Sequence, residues 1–153
     1  MKVEKDFEDF ISLLNYHKVN YLIVGAYALI FYTSPRNTGD IDFLIEKSES
    51  NSEKILNVLK DFGFEDMNFK KEDFLSSDMV IQLGYSPNRI DIITGISGIE
   101  FNEAYENRVM GKIGKEKVPF ISAPDLLKNK IAAGRPKDIA DADLLSKYLN
   151  LPK

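Results

Sequence analysis

The sequence contains no cysteine and a single histidine, His17. The first absence excludes disulfides, thiolate nucleophiles and cysteine-ligated zinc, and the second excludes a histidine metal cluster. Any metal must therefore be held by oxygen. His17 falls at the end of the first helical pattern and reads as a surface or C-terminal cap residue near the helix dipole, with no chemistry assigned to it. Long apolar runs are also missing. The start, Met1-Lys2-Val3-Glu4-Lys5-Asp6, leads into an acidic amphipathic pattern without the apolar centre of a signal peptide, and nothing later is long enough to span a bilayer. A cytoplasmic protein without membrane association is expected. Nor is there an excess of positive charge: the net charge of −4 argues against a broad basic surface for duplex nucleic acid. It leaves room for a small basic patch that holds a phosphorylated ligand.

What remains is an ordinary globular composition, 44% hydrophobic and 29% charged, with neither repeats nor low-complexity tracts. At 153 residues the chain is expected to form one domain, residues 1–153, with a real core.

Phe7, Phe10, Ile11 and Leu14 recur at helical spacing, so residues 4–16 read as an amphipathic helix. Asn20 to Val24 is a β-rich strand ending at Gly25, and Ala26 to Tyr32 continues as an apolar helix stopped by Thr33-Ser34-Pro35. Ser50 or Ser52 can cap a helix carrying Ile55, Leu56, Leu59 and Phe62, ended by Gly63. Asp66 to Asp78 is polar and irregular, the best candidate for a mobile loop or lid. Residues 79–83 and 89–93 read as strands of an antiparallel hairpin, 101–105 as a short helix, and 108–113 with 118–121 as a further hairpin. Ser122-Ala123-Pro124-Asp125 caps a helix ended by Gly134, and Pro136 opens a last helix to about Leu149. The mixture predicts an α+β fold, a mixed β-sheet flanked by helices.

Within this frame, Asp40-Ile41-Asp42-Phe43-Leu44-Ile45 stands out. Alternate strand residues share a face, so Asp40 and Asp42 stand side by side while Ile41, Phe43 and Ile45 enter a core. Paired acids repel and call for a cation. Mg²⁺ suits them, being commonly held by one or two carboxylates together with substrate phosphates. The alternative is a device that solvates an edge strand, with Arg36 or Lys47 nearby. Asp91 supplies a third strand carboxylate, on the face opposite Ile90 and Ile92, and three such acids suit phosphoryl-type transfer with one or two Mg²⁺ ions. Asp91 can hold a metal or accept the proton of an attacking hydroxyl.

Gly25, between strand and helix, allows close approach of a ligand to the Ala26 and Tyr27 amides, or simply makes a tight turn. Lys130 falls on the apolar stripe of Ala123, Leu126, Leu127 and Ile131, and Asp138 on that of Ala142, Leu145 and Leu149. An inward acid needs a partner. Either a structural Lys130–Asp138 or Arg135–Asp138 pair ties the last helices together, or these residues serve the substrate. Arg36 has a similar pair of roles, offsetting the acids or contacting phosphate.

Val24-Gly25-Ala26 followed by Arg36-Asn37-Thr38-Gly39-Asp40-Ile41-Asp42 resembles the signature of the nucleotidyltransferase superfamily, a glycine followed by glycine or serine, a helix, and a paired-acid strand. Lys130…Arg135-Pro136-Lys137-Asp138…Asp141 resembles the C-terminal motif of its AbiEii-like branch, which includes toxins of toxin–antitoxin systems. The resemblance implies a polymerase-β-like core, Mg²⁺ on Asp40 and Asp42, Asp91 as third catalytic acid, and Lys130 and Asp138 in the nucleotide site. Ala26 stands where the family usually has serine or a second glycine, which removes a hydroxyl contact but keeps the backbone donor. The implied activity is transfer of a nucleoside monophosphate from a nucleoside triphosphate to an acceptor hydroxyl on RNA, protein or a small molecule. An antitoxin partner follows if the toxin branch applies. The alternative is a catalytically silent nucleotide-binding or protein-interaction module of the same fold.

Overall fold

The computed structural model describes residues 5–34, 38–64, 67–85 and 88–150. Its centre is a six-stranded mixed sheet formed by β1 (Tyr21–Val24), β2 (Ile41–Ile45), β3 (Val80–Leu83), β4 (Ile90–Ile93), β5 (Val109–Ile113) and β6 (Glu116–Phe120), in the order β3-β4-β2-β1-β6-β5. β1 runs antiparallel to β2 and parallel to β6, and β2 runs parallel to β4. The two outer pairs, β3/β4 and β5/β6, are the antiparallel hairpins expected from their turns. The α+β expectation holds. Among the described residues no helix is long and apolar enough to cross a membrane.

Helix α1 (Lys5–Tyr16) buries Phe7, Phe10, Ile11 and Leu14, the positions its periodicity selects. Phe10 meets Phe43 of β2 with ring centroids 5.4 Å apart, so the Ile41–Phe43–Ile45 face of β2 looks into this layer. Helix α2 (Gly25–Tyr32) is apolar all round and buries Tyr27, Ala28, Leu29 and Ile30. Helix α3 (Glu49–Asp61) packs against α1; α4 (Phe101–Glu106) is short; α5 (Ala123–Ala133) and α6 (Pro136–Leu149) pack on each other and on α2.

Neither Ser50 nor Ser52 caps α3. The helix starts earlier, and Ser48 is the cap, its side chain accepting from the Asn51 N–H at 3.2 Å. Ser52 is buried and donates to the Ser48 carbonyl at 2.8 Å. Asn51 is buried too. Its Oδ1 accepts from the Asn20 N–H at 2.8 Å, and its Nδ2 donates to the carbonyls of Asn20 and Glu46, at 3.1 and 2.9 Å. The cap of α5 is Ser122, as expected, and Gly134 ends that helix with φ of +67°.

The polar stretch before β3 is not featureless. Lys71–Phe74 forms a turn of 3₁₀ helix, Phe74 is fully buried, and Lys71 reaches Glu49 on α3 at 3.1 Å. Buried aromatic area here outweighs the polar composition. Asp66, where the expected loop was to begin, lies outside the described residues.

Candidate active site

Val24 is the register partner of Asp42 in the antiparallel β1/β2 pair, which brings Gly25 beside the Asp42 carboxylate. Gly25 adopts φ of +69°, and a Cβ built on it would overlap Asp42 Oδ2. Glycine is needed here twice over, for the backbone and for the space. α2 starts at this point with Val24 as its cap residue, which makes no side-chain cap bond.

Across the parallel β2/β4 pair, Asp42 is the register partner of Asp91. Burial, then the Asp91 charge and a hydrogen bond with it, then Asp40, push the Asp42 carboxyl from its ordinary 3.8 up to about 6, while Lys130 opposes the shift. Asp42 and Asp91 are thus brought side by side on neighbouring strands, with Asp40, just before β2, near enough to act on Asp42 electrostatically.

The sequence reading missed their partner. Arg89 donates from Nε to Asp91 Oδ1 at 2.7 Å and from Nη2 to Asp91 Oδ2 at 3.0 Å. The same Nη2 lies 3.1 Å from Asp40 Oδ2, and the Arg89 main-chain N–H donates to Asp40 Oδ1 at 3.1 Å. The hydrogen bond to Asp91 above all holds this guanidinium in its charged form. The available signal was period 2: Arg89 shares the face of Asp91 two residues on.

The second constellation lies on α5 and α6. Lys130 and Asp138 are 7% and 1% exposed, confirming that both face inward. Lys130 Nζ lies 3.6 Å from Asp138 Oδ1 and 3.2 Å from Asp141 Oδ2, while Arg135 Nε donates to Asp138 Oδ2 at 2.6 Å. Both pairs weighed for Asp138 therefore exist at once. The Arg135 hydrogen bond, helped by the Lys130 charge and opposed by burial, holds the Asp138 carboxyl below its ordinary range. Asp141 was missed as a partner, although it follows Asp138 by one helical turn. Ile131, assigned to the inward stripe with Lys130, is 63% exposed, because the buried face of α5 is narrower than the helical angle implied. Leu149, assigned to the stripe of Asp138, is 39% exposed at the end of α6.

The three acids with Arg89, and Lys130, Arg135 and Asp138 of the second constellation, line one cavity of about 930 Å³ together with Gly25, Ala26 and Gly39. Lys130 is close enough to act on Asp42 electrostatically. Arg36 lies outside the described residues.

For a divalent ion, the donor set is chemically apt: carboxylate oxygens only, on a cluster where burial first, and the neighbouring acids second, raise the Asp42 carboxyl to about 6. Among the described residues no three acidic or imidazole side chains converge as a ready-made cage. The Arg89 guanidinium stands between two of the three acids.

A family model described as nucleotidyltransferase of unknown function, DUF6036, matches residues 2–153. The chain belongs to this nucleotidyltransferase family. The nucleotidyltransferase fold is also that of several solved structures. The lincomycin-bound lincosamide antibiotic adenylyltransferase LnuA is 16% identical, with a TM-score of 0.57 over 95% of this chain and 98% of that one. A putative nucleotidyltransferase from Thermotoga maritima is 17% identical, with a TM-score of 0.57 over 95% and 91%. An antigenic nucleotidyltransferase-like protein from Paracoccidioides brasiliensis is 16% identical, with a TM-score of 0.56 over 97% and 77%. Curated proteins compared by sequence give no match. The acid pairing and the Gly25 approach thus belong to a nucleotidyltransferase.

Proposed function

We propose that this nucleotidyltransferase moves a nucleoside monophosphate from a nucleoside triphosphate to an acceptor hydroxyl, with Mg²⁺ held by Asp40, Asp42 and Asp91. The observation that carries the reading is the side-by-side placement of Asp42 and Asp91 against the glycine that opens α2. When bound, the metal screens the carboxylates and draws off charge that builds on the phosphate oxygens.

The chain's own groups do the rest. The Gly25 and Ala26 amides at the start of α2 hold a phosphate, and Lys130, held by Asp138 and Asp141, neutralises another. Arg36 adds a phosphate contact. Asp91 accepts the proton of the acceptor hydroxyl as its oxygen bonds to the α-phosphorus. The bond from that phosphorus to the bridging oxygen breaks, and pyrophosphate leaves with the electron pair.

Three acceptor classes stay within the proposal. LnuA is named for a small antibiotic, and a comparable hydroxylated small molecule is one class. RNA or protein is the choice if the AbiEii-like resemblance extends to function, with an antitoxin as partner. A cytoplasmic location and a single domain over residues 1–153 complete the reading.

Calorimetric titration with each nucleoside triphosphate, with and without Mg²⁺, tests the core of it. Binding that needs the metal is expected, and no binding in either condition overturns it. Mass spectrometry of RNA, protein and small hydroxylated compounds after incubation with labelled triphosphates then identifies the acceptor. The second reading, a silent nucleotide-binding or protein-interaction module, is favoured by Ala26 and by the grip of Arg89 on two acids. Binding without turnover on any acceptor class would support it.

A further inference from the structure

We infer that Arg89 is a built-in counter-cation of the carboxylate centre: a divalent metal must displace it, and the displaced guanidinium then turns to the phosphates of the incoming nucleotide. This rests on the reading of Asp40, Asp42 and Asp91 as the metal site.

One residue engages all four carboxylate oxygens of Asp40 and Asp91. The side chain takes both oxygens of Asp91 and Oδ2 of Asp40, and the main-chain N–H takes Oδ1 of Asp40. The guanidinium takes one lone pair on each of three of those oxygens, and a metal drawn to the remaining lone pairs would be packed against the same carboxylates as a second cation and repelled by it. The strand fixes this competition in place, because Arg89 directly precedes β4 and shares the face of Asp91. Its side chain is a quarter exposed and the Asp91 side chain only 9%, so the Asp91 end of the contact is screened less than a surface pair.

Displacement leaves a planar cation in the cavity that holds the Gly25 and Ala26 backbone and Lys130. A guanidinium suits phosphate oxygens as well as it suits carboxylates. The exchange gives an order to binding. Metal alone has to evict Arg89 into the cavity with nothing to receive it, whereas metal and triphosphate together offer it new anions.

The main-chain bond to Asp40 does not depend on the side chain, so Arg89→Gln keeps Asp40 anchored while removing the charge. Binding of Mg²⁺ alone, and of Mn²⁺ alone by electron paramagnetic resonance, is measured for the parent, Arg89→Gln and Arg89→Lys. Arg89→Gln is expected to bind metal alone about tenfold more tightly, equivalent to 1.4 kcal/mol. Arg89→Lys, whose ammonium cannot span both acids, is expected to fall between the two. With ATP, GTP, CTP and UTP in saturating Mg²⁺, Arg89→Gln is expected to bind the preferred triphosphate more weakly than the parent. Melting curves without metal show whether the variant folds. If it does not, Arg89→Lys carries the test, and metal affinity equal to the parent's overturns the inference. Equal or weaker metal affinity in folded Arg89→Gln, with a parent that binds metal and triphosphate, overturns it alone. A parent that binds neither overturns the reading of the site and this inference with it.

Discussion

Gly25 touches the Asp42 carboxylate so closely that no side chain fits between them. The strand that leads into Gly25 and the strand that carries Asp42 are neighbours, so the turn into α2 and the acid are positioned by the same ladder.

Gly25→Ala is therefore expected to damage the site before it damages the core. The left-handed backbone costs a non-glycine residue about 1–3 kcal/mol, and the new methyl pushes Asp42 aside. Melting temperature should fall modestly while Mg²⁺-dependent triphosphate binding is largely lost. Unchanged triphosphate affinity would show that the contact does not position the acid.

Asp42 makes stability depend on pH in an unusual sense for a carboxylate. Its folded value, about 6, lies above its ordinary 3.8, so the folded state binds the extra proton between those limits. That contribution is complete below about pH 4 and is lost as pH rises through 6, roughly 2–3 kcal/mol in all. Asp42→Asn is expected to remove this slope from metal-free melting curves and to weaken Mg²⁺ binding by removing a hard ligand. In the parent, Mg²⁺ affinity should rise with pH through 6, because the metal has to displace that proton. A parent profile that rises from pH 4 to 6 without metal would reverse the assignment.

Asp91→Asn is expected to lower turnover more than triphosphate affinity, by about a hundredfold or more if Asp91 takes the acceptor proton. The measurement is steady-state kinetics with the identified acceptor. A large affinity loss with turnover intact would make Asp91 a binding ligand instead.

Removing Lys130 takes its ammonium from two buried carboxylates, Asp138 and Asp141. Lys130→Met is expected to cost about 3–5 kcal/mol in unfolding free energy. Asp141→Leu removes one of the two carboxylates that Lys130 contacts, and beside Lys130→Met it is expected to recover part of the loss. Nucleotide affinity in that stable double variant separates the structural role from the phosphate role. Normal affinity would remove Lys130 from the site.

Much of this arrangement is legible in the sequence because it depends on local periods. Alternation along residues 40–45 separates the acids from Ile41, Phe43 and Ile45, and helical spacing turns Lys130 and Asp138 inward. The glycine before an apolar helix marks the turn. What could not be read is set by contacts distant in the chain. Nothing local says that β2 lies parallel to β4, and that pairing is what puts Asp42 beside Asp91. Arg89 was legible as a neighbour of Asp91 but not as the partner of Asp40, 49 positions away. The cap of α3 was misplaced for a different reason: Ser48, Ser50 and Ser52 are all acceptable caps, and burial of Asn51 and Ser52 decides among them.

Asn51 also reaches further than its own helix. Its amide bridges the ends of β1 and β2 that lie away from the site, holding Asn20 opposite Glu46 as the next rung beyond Tyr21 and Ile45. In a ribbon this short, a slip of one rung would rotate every β2 side chain to the other face, sending Asp42 into the aromatic layer and Phe43 into the cavity. The amide of α3 thus acts as an alignment pin for the face that carries the acids, holding them to one side from the opposite end of the strand.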